Sequence, residues 1–277
     1  MIHQLVYMLG YGFAQNALVA GILVAVVAGL VSRFVVARNM SFAVHALAEV
    51  GFTGSTGFIL IGLSPVLGLL TGSLLTAFFI GALGVRIRER DAVVGVVMAF
   101  GLGLGVLFTA LYARYATAIA ILFGAITEVS LGDLMLLAGV AVVTIVGLGV
   151  MYRPLTFATV DPVVAEARGV PVRLISILFL LMLAAAVAEA VQVVGVLLIL
   201  TLLITPGATA ERLTANPGLA TVTSVGVALL ATVGGILLAL VSSWPVSFYV
   251  ATIAFVCYLA ARFGAPALER LQGVPTD

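Results

Sequence analysis

The sequence predicts an all-α integral membrane protein of about nine transmembrane helices plus a re-entrant half-helix. Three observations predict it. Of 277 residues, 64% are hydrophobic and only 8% are charged, whereas soluble domains carry about a quarter charged residues. Mean hydropathy is +1.34. The apolar stretches recur at the length of about 20 residues that a 1.5 Å rise needs to cross a bilayer. The chain therefore reads as a single transmembrane domain, 1–277, with no soluble domain beside it.

The expected spans are 14–36, 41–62, 65–85, 91–113, 132–152, 173–190, 194–211, 219–241 and 246–263. Residues 1–11, with Tyr7 and Tyr11, are expected along the interface. They lack a charged leader pattern, so the first span is expected to remain in place. Between Arg114 and Asp133, "YATAIAILFGAITEVSLG" is too short to cross and is expected to re-enter from the outer side, buried by protein.

All twelve basic residues are Arg. With "VRIRERD" (85–91) placed in the cytoplasm, eleven of them fall on that side and only Arg114 does not. This is the positive-inside pattern, and it implies an external N-terminus and a cytoplasmic C-terminus. The net charge of +1 says nothing about nucleic acid, and no nucleic-acid partner is expected of a chain that is almost wholly membrane. The single cysteine, Cys257, excludes an internal disulfide. A Walker loop cannot exist in a chain without Lys, so ATP is not hydrolysed here.

The second span, "MSFAVHALAEVGFTGSTGFILIG", holds His45 and Glu49 on one helix face. Three readings stay open: a hydrogen-bonded packing pair, a proton relay, and a cation site offering nitrogen and oxygen to Zn²⁺ or Mn²⁺. Gly51, Gly54 and Gly57 would let a neighbouring backbone approach, and Thr53 adds a hydroxyl to the expected path. Glu189, in or beside the sixth span, is the candidate third ligand, because a carboxylate in mid-bilayer is costly. Gln192 follows on the same face. Glu128 and Asp133 are expected near the outer entrance.

Residues 153–173 form the longest water-facing segment. Asp161 fits an N-cap and Pro162 the first helical position. Val163, Val164 and Ala167 give an apolar face, and Gly169 and Pro171 end the helix. A capped helix with such a face suits docking into a partner groove. Farther on, Pro206-Gly207 is expected to break the seventh span near its inner end.

Three stretches carry a resemblance: "VDPVVAEARGVPV" (160–172), "VGVLLILTLLITPGATAERL" (194–213) and "MSFAVHALAEVGFTG" (40–54). Together they resemble the permease subunits of bacterial zinc/manganese/iron ATP-binding-cassette importers, over residues 14 to 265. The resemblance implies a compact bundle like cobalamin and siderophore permeases, in the bacterial plasma membrane. It implies a permease homodimer, two ATPase subunits below and an extracellular metal-binding protein above. It also implies that 161–170 is the coupling helix. No permanently bound cofactor is implied; Zn²⁺ first and Mn²⁺ second would be cargo, with ATP on the partners. Family members carry Asp, three residues, then His in the second span; here His45 and Glu49 take those places. Gln192 stands where a basic residue is usual, and Gly207, replacing Ala, is expected to loosen the kink. A metal-chelate cargo and a stand-alone proton-coupled carrier using His45 and Glu49 remain alternatives. A metalloprotease is not, since His-Glu-x-x-His is absent.

Overall fold

The computed structural model describes residues 7–8, 10–83, 87–111, 122, 124, 130–242 and 244–271. Its elements are α1 (Gly12–Ala37), α2 (Ser41–Leu60), α3 (Pro65–Leu83), α4 (Ile87–Leu111), α5 (Leu131–Val160), α6 (Pro162–Ala167), α7 (Val172–Val194), a 3₁₀ turn (Val196–Leu198), α8 (Ile199–Leu203), α9 (Thr205–Leu213), α10 (Pro217–Leu240) and α11 (Val246–Leu271). Among the described residues, seven helices are long and apolar enough to cross a membrane. They match seven of the expected spans. The second span is α2, a 20-residue helix whose polar side chains leave it outside that apolar class. The re-entrant piece expected between Arg114 and Asp133, with Glu128, lies largely outside the described residues.

Two helices form the centre. In α1, Ala17, Ala20, Val24, Ala28 and Val31 are buried; in α7, Leu183, Ala184, Val187, Ala190 and Val191 are. Lipid tails are as apolar as Leu, so helix association in a bilayer relies on close van der Waals contact, which small residues permit. The seams show it. A Cβ on Gly29 would meet the Val225 backbone of α10, and Ser224 Oγ donates to the Gly29 carbonyl at 2.7 Å. α2 lies against α3 almost backbone to backbone, with Gly54 facing Gly68 and Gly72. Gly51 meets Leu69 and Ser73 of α3, whereas Gly57 meets the Phe108 ring of α4. The expected glycine approach therefore serves two neighbours.

Two boundaries differ from the sequence reading. α5 runs through Pro154 to Val160, and α7 begins at Val172, so most of 153–173 is helix. Proline removes one backbone donor but does not end a helix held by its neighbours. The seventh span is not one helix. Gly195, at φ 80°, ends α7, and a second change of direction falls at Ile204, before Pro206.

The Arg-rich ends gather at one end of the bundle. Arg33, at the close of α1, donates to Tyr152 at 3.4 Å and Thr221 at 3.3 Å and lies over the Phe34 ring. At the opposite end, Tyr7 and Tyr11 share a 2.7 Å hydroxyl bond, and Trp244 packs edge-on against Phe248.

Candidate functional site

α2 starts from a rigid corner. Arg38 closes α1, and Asn39 takes φ 53°. The Asn39 amide bonds the Val36 carbonyl at 3.0 Å, and the Met40 amide bonds Val35 at 2.9 Å. This crossed pair is the Schellman arrangement, which satisfies the last carbonyls of a helix. Met40 then serves as the N-cap residue of α2. Five residues on stands His45.

His45 Nε2 and Glu49 Oε1 are 2.9 Å apart, across one helical turn. With the proton on Nε2, the imidazole donates to the carboxylate and leaves Nδ1 a bare lone pair. Nδ1 and Glu49 Oε2 are both buried atoms without a hydrogen-bond partner. The residues themselves are not sealed: their side chains are 35% and 19% exposed. They lie on the least covered stripe of α2, continued by exposed Phe42 and half-buried Phe52. One nitrogen and one oxygen, both buried, thus lack a partner beside a partly open helix face. That donor chemistry fits a divalent ion such as Mn²⁺ or Zn²⁺.

Glu189 is placed elsewhere. It is buried, on the central helix α7, and neither carboxylate oxygen has a hydrogen-bond partner. Among the described residues no three His, Cys, Asp or Glu side chains come together as a metal cluster. The expected third ligand therefore does not join His45 and Glu49 in this chain and conformation. Gln192, one turn farther along, is half-buried.

Thr53 was expected beside the path. It is buried, and its hydroxyl donates to the Gly101 carbonyl of α4 at 2.8 Å. A hydroxyl has one proton, so this bond binds α4 to α2 one turn past Glu49. Asp133 likewise is taken up locally, closing a capping box with Ser130.

Pro206 and Gly207 open α9. Helix starts leave unpaired amides, and the Gly207 amide is met by Ser32 Oγ of α1 at 2.8 Å. A Cβ at 207 would strike the Ser32 backbone. Gly207 therefore does not loosen the break, as the sequence suggested. It allows α9 to press against α1 where Ala would not fit.

The segment expected to dock is built as its residues require. Asp161 Oδ1 accepts the Val164 amide at 2.9 Å, capping α6, and Pro162 holds the first turn. Gly169, at φ 82°, ends it, with the Val170 amide returning to the Ala165 carbonyl. Ala165 is the inward residue; Val163, Val164 and Ala167 face outward, Val163 being 76% exposed. Arg38, which the charge pattern used only for orientation, is the residue that sequence reasoning missed: it bonds to both flanks of this segment.

Comparison with known proteins bears on the family and the fold. The profile of the ABC 3 transport family matches residues 10–265. The manganese transport system membrane protein MntC of Halalkalibacterium halodurans is 35% identical, over 75% of this chain and 72% of its own. The manganese import system permease protein ScaB of Streptococcus pneumoniae is 28% identical, over 92% of each. Among solved structures, PsaBC from Streptococcus pneumoniae in complex with Fab superposes with a TM-score of 0.87 at 27% identity, over 98% of this chain and 100% of that one. A metal-chelate type ABC transporter in an inward-facing conformation shares the fold, with a TM-score of 0.67 at 17% identity. With its helical bundle matched from end to end and the family profile covering nearly all of it, the chain belongs to the ABC 3 transport family.

Proposed function

We propose that this chain is the membrane-spanning subunit of an ATP-driven importer of divalent metal, with manganese now ahead of zinc. The observation that carries it is the His45–Glu49 pair, whose two buried, unpartnered ligand atoms lie under the least covered stripe of a membrane helix. Manganese gains from the names of the relatives and from the chemistry. One carboxylate and one imidazole with no thiolate suit the harder ion. An incomplete ligand set is what a passing ion needs, since it must also leave.

In this reading two copies pair about the α2 stripe, and the cargo passes between them. An extracellular metal-binding protein delivers it. Two ATPase subunits sit under α6, whose outward Val163, Val164 and Ala167 enter their grooves. The Arg-rich end is cytoplasmic and the N-terminus is outside, in the bacterial plasma membrane. The chain itself catalyses nothing and holds no resident cofactor.

Metal-limited uptake by membranes carrying wild-type or Glu49→Ala permease tests this. Uptake of manganese and zinc is expected to vanish while the ATPase still copurifies. Unchanged uptake by the variant would remove the pair from the path.

A further inference from the structure

The corner between α1 and α2 does more than turn the chain. The Arg38 guanidinium reaches two elements at once. Its Nη2 donates to Ser176 Oγ at 2.6 Å, and its Nη1 donates to Thr159 Oγ1 at 3.4 Å. The plane also lies 5.6 Å from the Phe179 ring centre. Thr159 lies in the last turn of α5, two residues before the Asp161 cap of α6; Ser176 is in the first turns of α7, just after it. The two flanks of the docking helix are thus fastened to one side chain.

The acceptors are committed to that role. Each hydroxyl spends its own proton on its helix, Thr159 on the Leu155 carbonyl at 2.6 Å and Ser176 on the Val172 carbonyl at 2.8 Å. Each therefore turns lone pairs towards the guanidinium, the one side chain whose planar fork can serve two such acceptors. On the other side, Arg38 is the cap residue of the rigid corner that becomes α2 at Met40. A displacement of α6 reaches His45 and Glu49 through two hydrogen bonds and a turn that cannot flex without breaking its crossed amide bonds.

We infer that Arg38 is a positioning residue that transmits movement of the docking helix α6 to the metal pair on α2. This rests on the proposed function, because it needs ATPase subunits that move α6. In that setting Arg38 sets the ratio of ion carried to ATP spent, and touches neither the ion nor the nucleotide.

The test reconstitutes the whole importer in proteoliposomes, with manganese(II) and, in parallel, zinc(II), and measures ions carried per ATP hydrolysed. Arg38→Gln is expected to lower that ratio about tenfold, as loss of charge-assisted bonds would. Basal ATP hydrolysis and ATPase association should persist. Arg38→Lys, which keeps the charge but one prong, should recover part of the ratio. Ser176→Ala, with Arg38 intact, should lower it several-fold. A mere packing role would change yield or assembly and leave the ratio alone. Wild-type ratios in both Arg38→Gln and Ser176→Ala overturn the inference; should Arg38→Gln fail to assemble, Ser176→Ala alone decides. Val163→Asp separates the two ideas. If it leaves the ATPase bound and stimulated, the docking reading fails. If it releases the ATPase while Arg38→Gln couples normally, only the role of Arg38 fails.

Discussion

At the scale of single residues, what counts is which polar atoms already have partners. His45 and Glu49 bond to each other and keep Nδ1 and Oε2 in reserve; Thr53 keeps nothing, because its proton is spent on Gly101. Exchanging the pair, His45→Asp with Glu49→His, preserves one nitrogen and one carboxylate on the same face. It is expected to retain uptake and to shift the manganese/zinc preference, read by competition between the two ions; loss of all transport would show that register matters more than ligand type. Gly207→Ala is expected to destabilise the α1–α9 contact by about 1–3 kcal/mol, the usual range for overpacking. Thermal unfolding in detergent measures it. The sequence singled out His45 and Glu49, because charged groups in an apolar span are costly wherever they point. It did not show where Glu189 or Thr53 points, nor that Gly207 is a contact instead of a hinge. Those depend on which neighbour a helix face meets, and periodicity does not name neighbours.

At the scale of elements, short helices were legible through their ends. Asp161-Pro162 and Gly169 marked α6 to the residue, since caps and positive φ are local chemistry. The end expected for the fifth span, 152, was too early, because α5 continues through Pro154 to Val160. The break at Gly195 falls inside the expected seventh span, 194–211, and was not anticipated; the turn at Ile204 precedes the proline expected to cause it. Val163→Asp places a charge on the outward face of α6, where it is 76% exposed. It should leave the permease folded and dissociate or uncouple the ATPase, as copurification and metal-stimulated hydrolysis would report. Asp161→Ala removes the cap, a loss of about 1 kcal/mol of helix stability. A weaker version of the same defect is expected.

At the scale of the whole molecule, the positions of the arginines lead us to expect a cytoplasmic C-terminus and an external N-terminus. Hydrogen bonds joining Arg33 to Tyr152 and Thr221, and Arg38 to Thr159 and Ser176, gather the ends that the charge pattern assigned to one side. In a Cys257→Ala background, Trp244→Cys should react with a membrane-impermeant maleimide added outside intact cells. Val163→Cys should react only after permeabilisation; the reverse labelling would invert the orientation. Class and span positions were readable because lipid imposes them on composition and length. Which span lies at the centre was not, because α1 and α7 differ from the outer helices in their neighbours more than in their hydropathy.

The seam between α2 and α3 has one more consequence. Gly54 lies on Gly68 and Gly72 with no side chain between them, and beside them Ser73 Oγ of α3 donates to the Leu47 carbonyl of α2 at 3.0 Å, so the two helices are locked in one register. Whatever rearrangement admits an ion is expected to swing that hairpin whole, as a door leaf swings with its frame, and a crosslink stapling the two helices together should leave traffic through the membrane untouched.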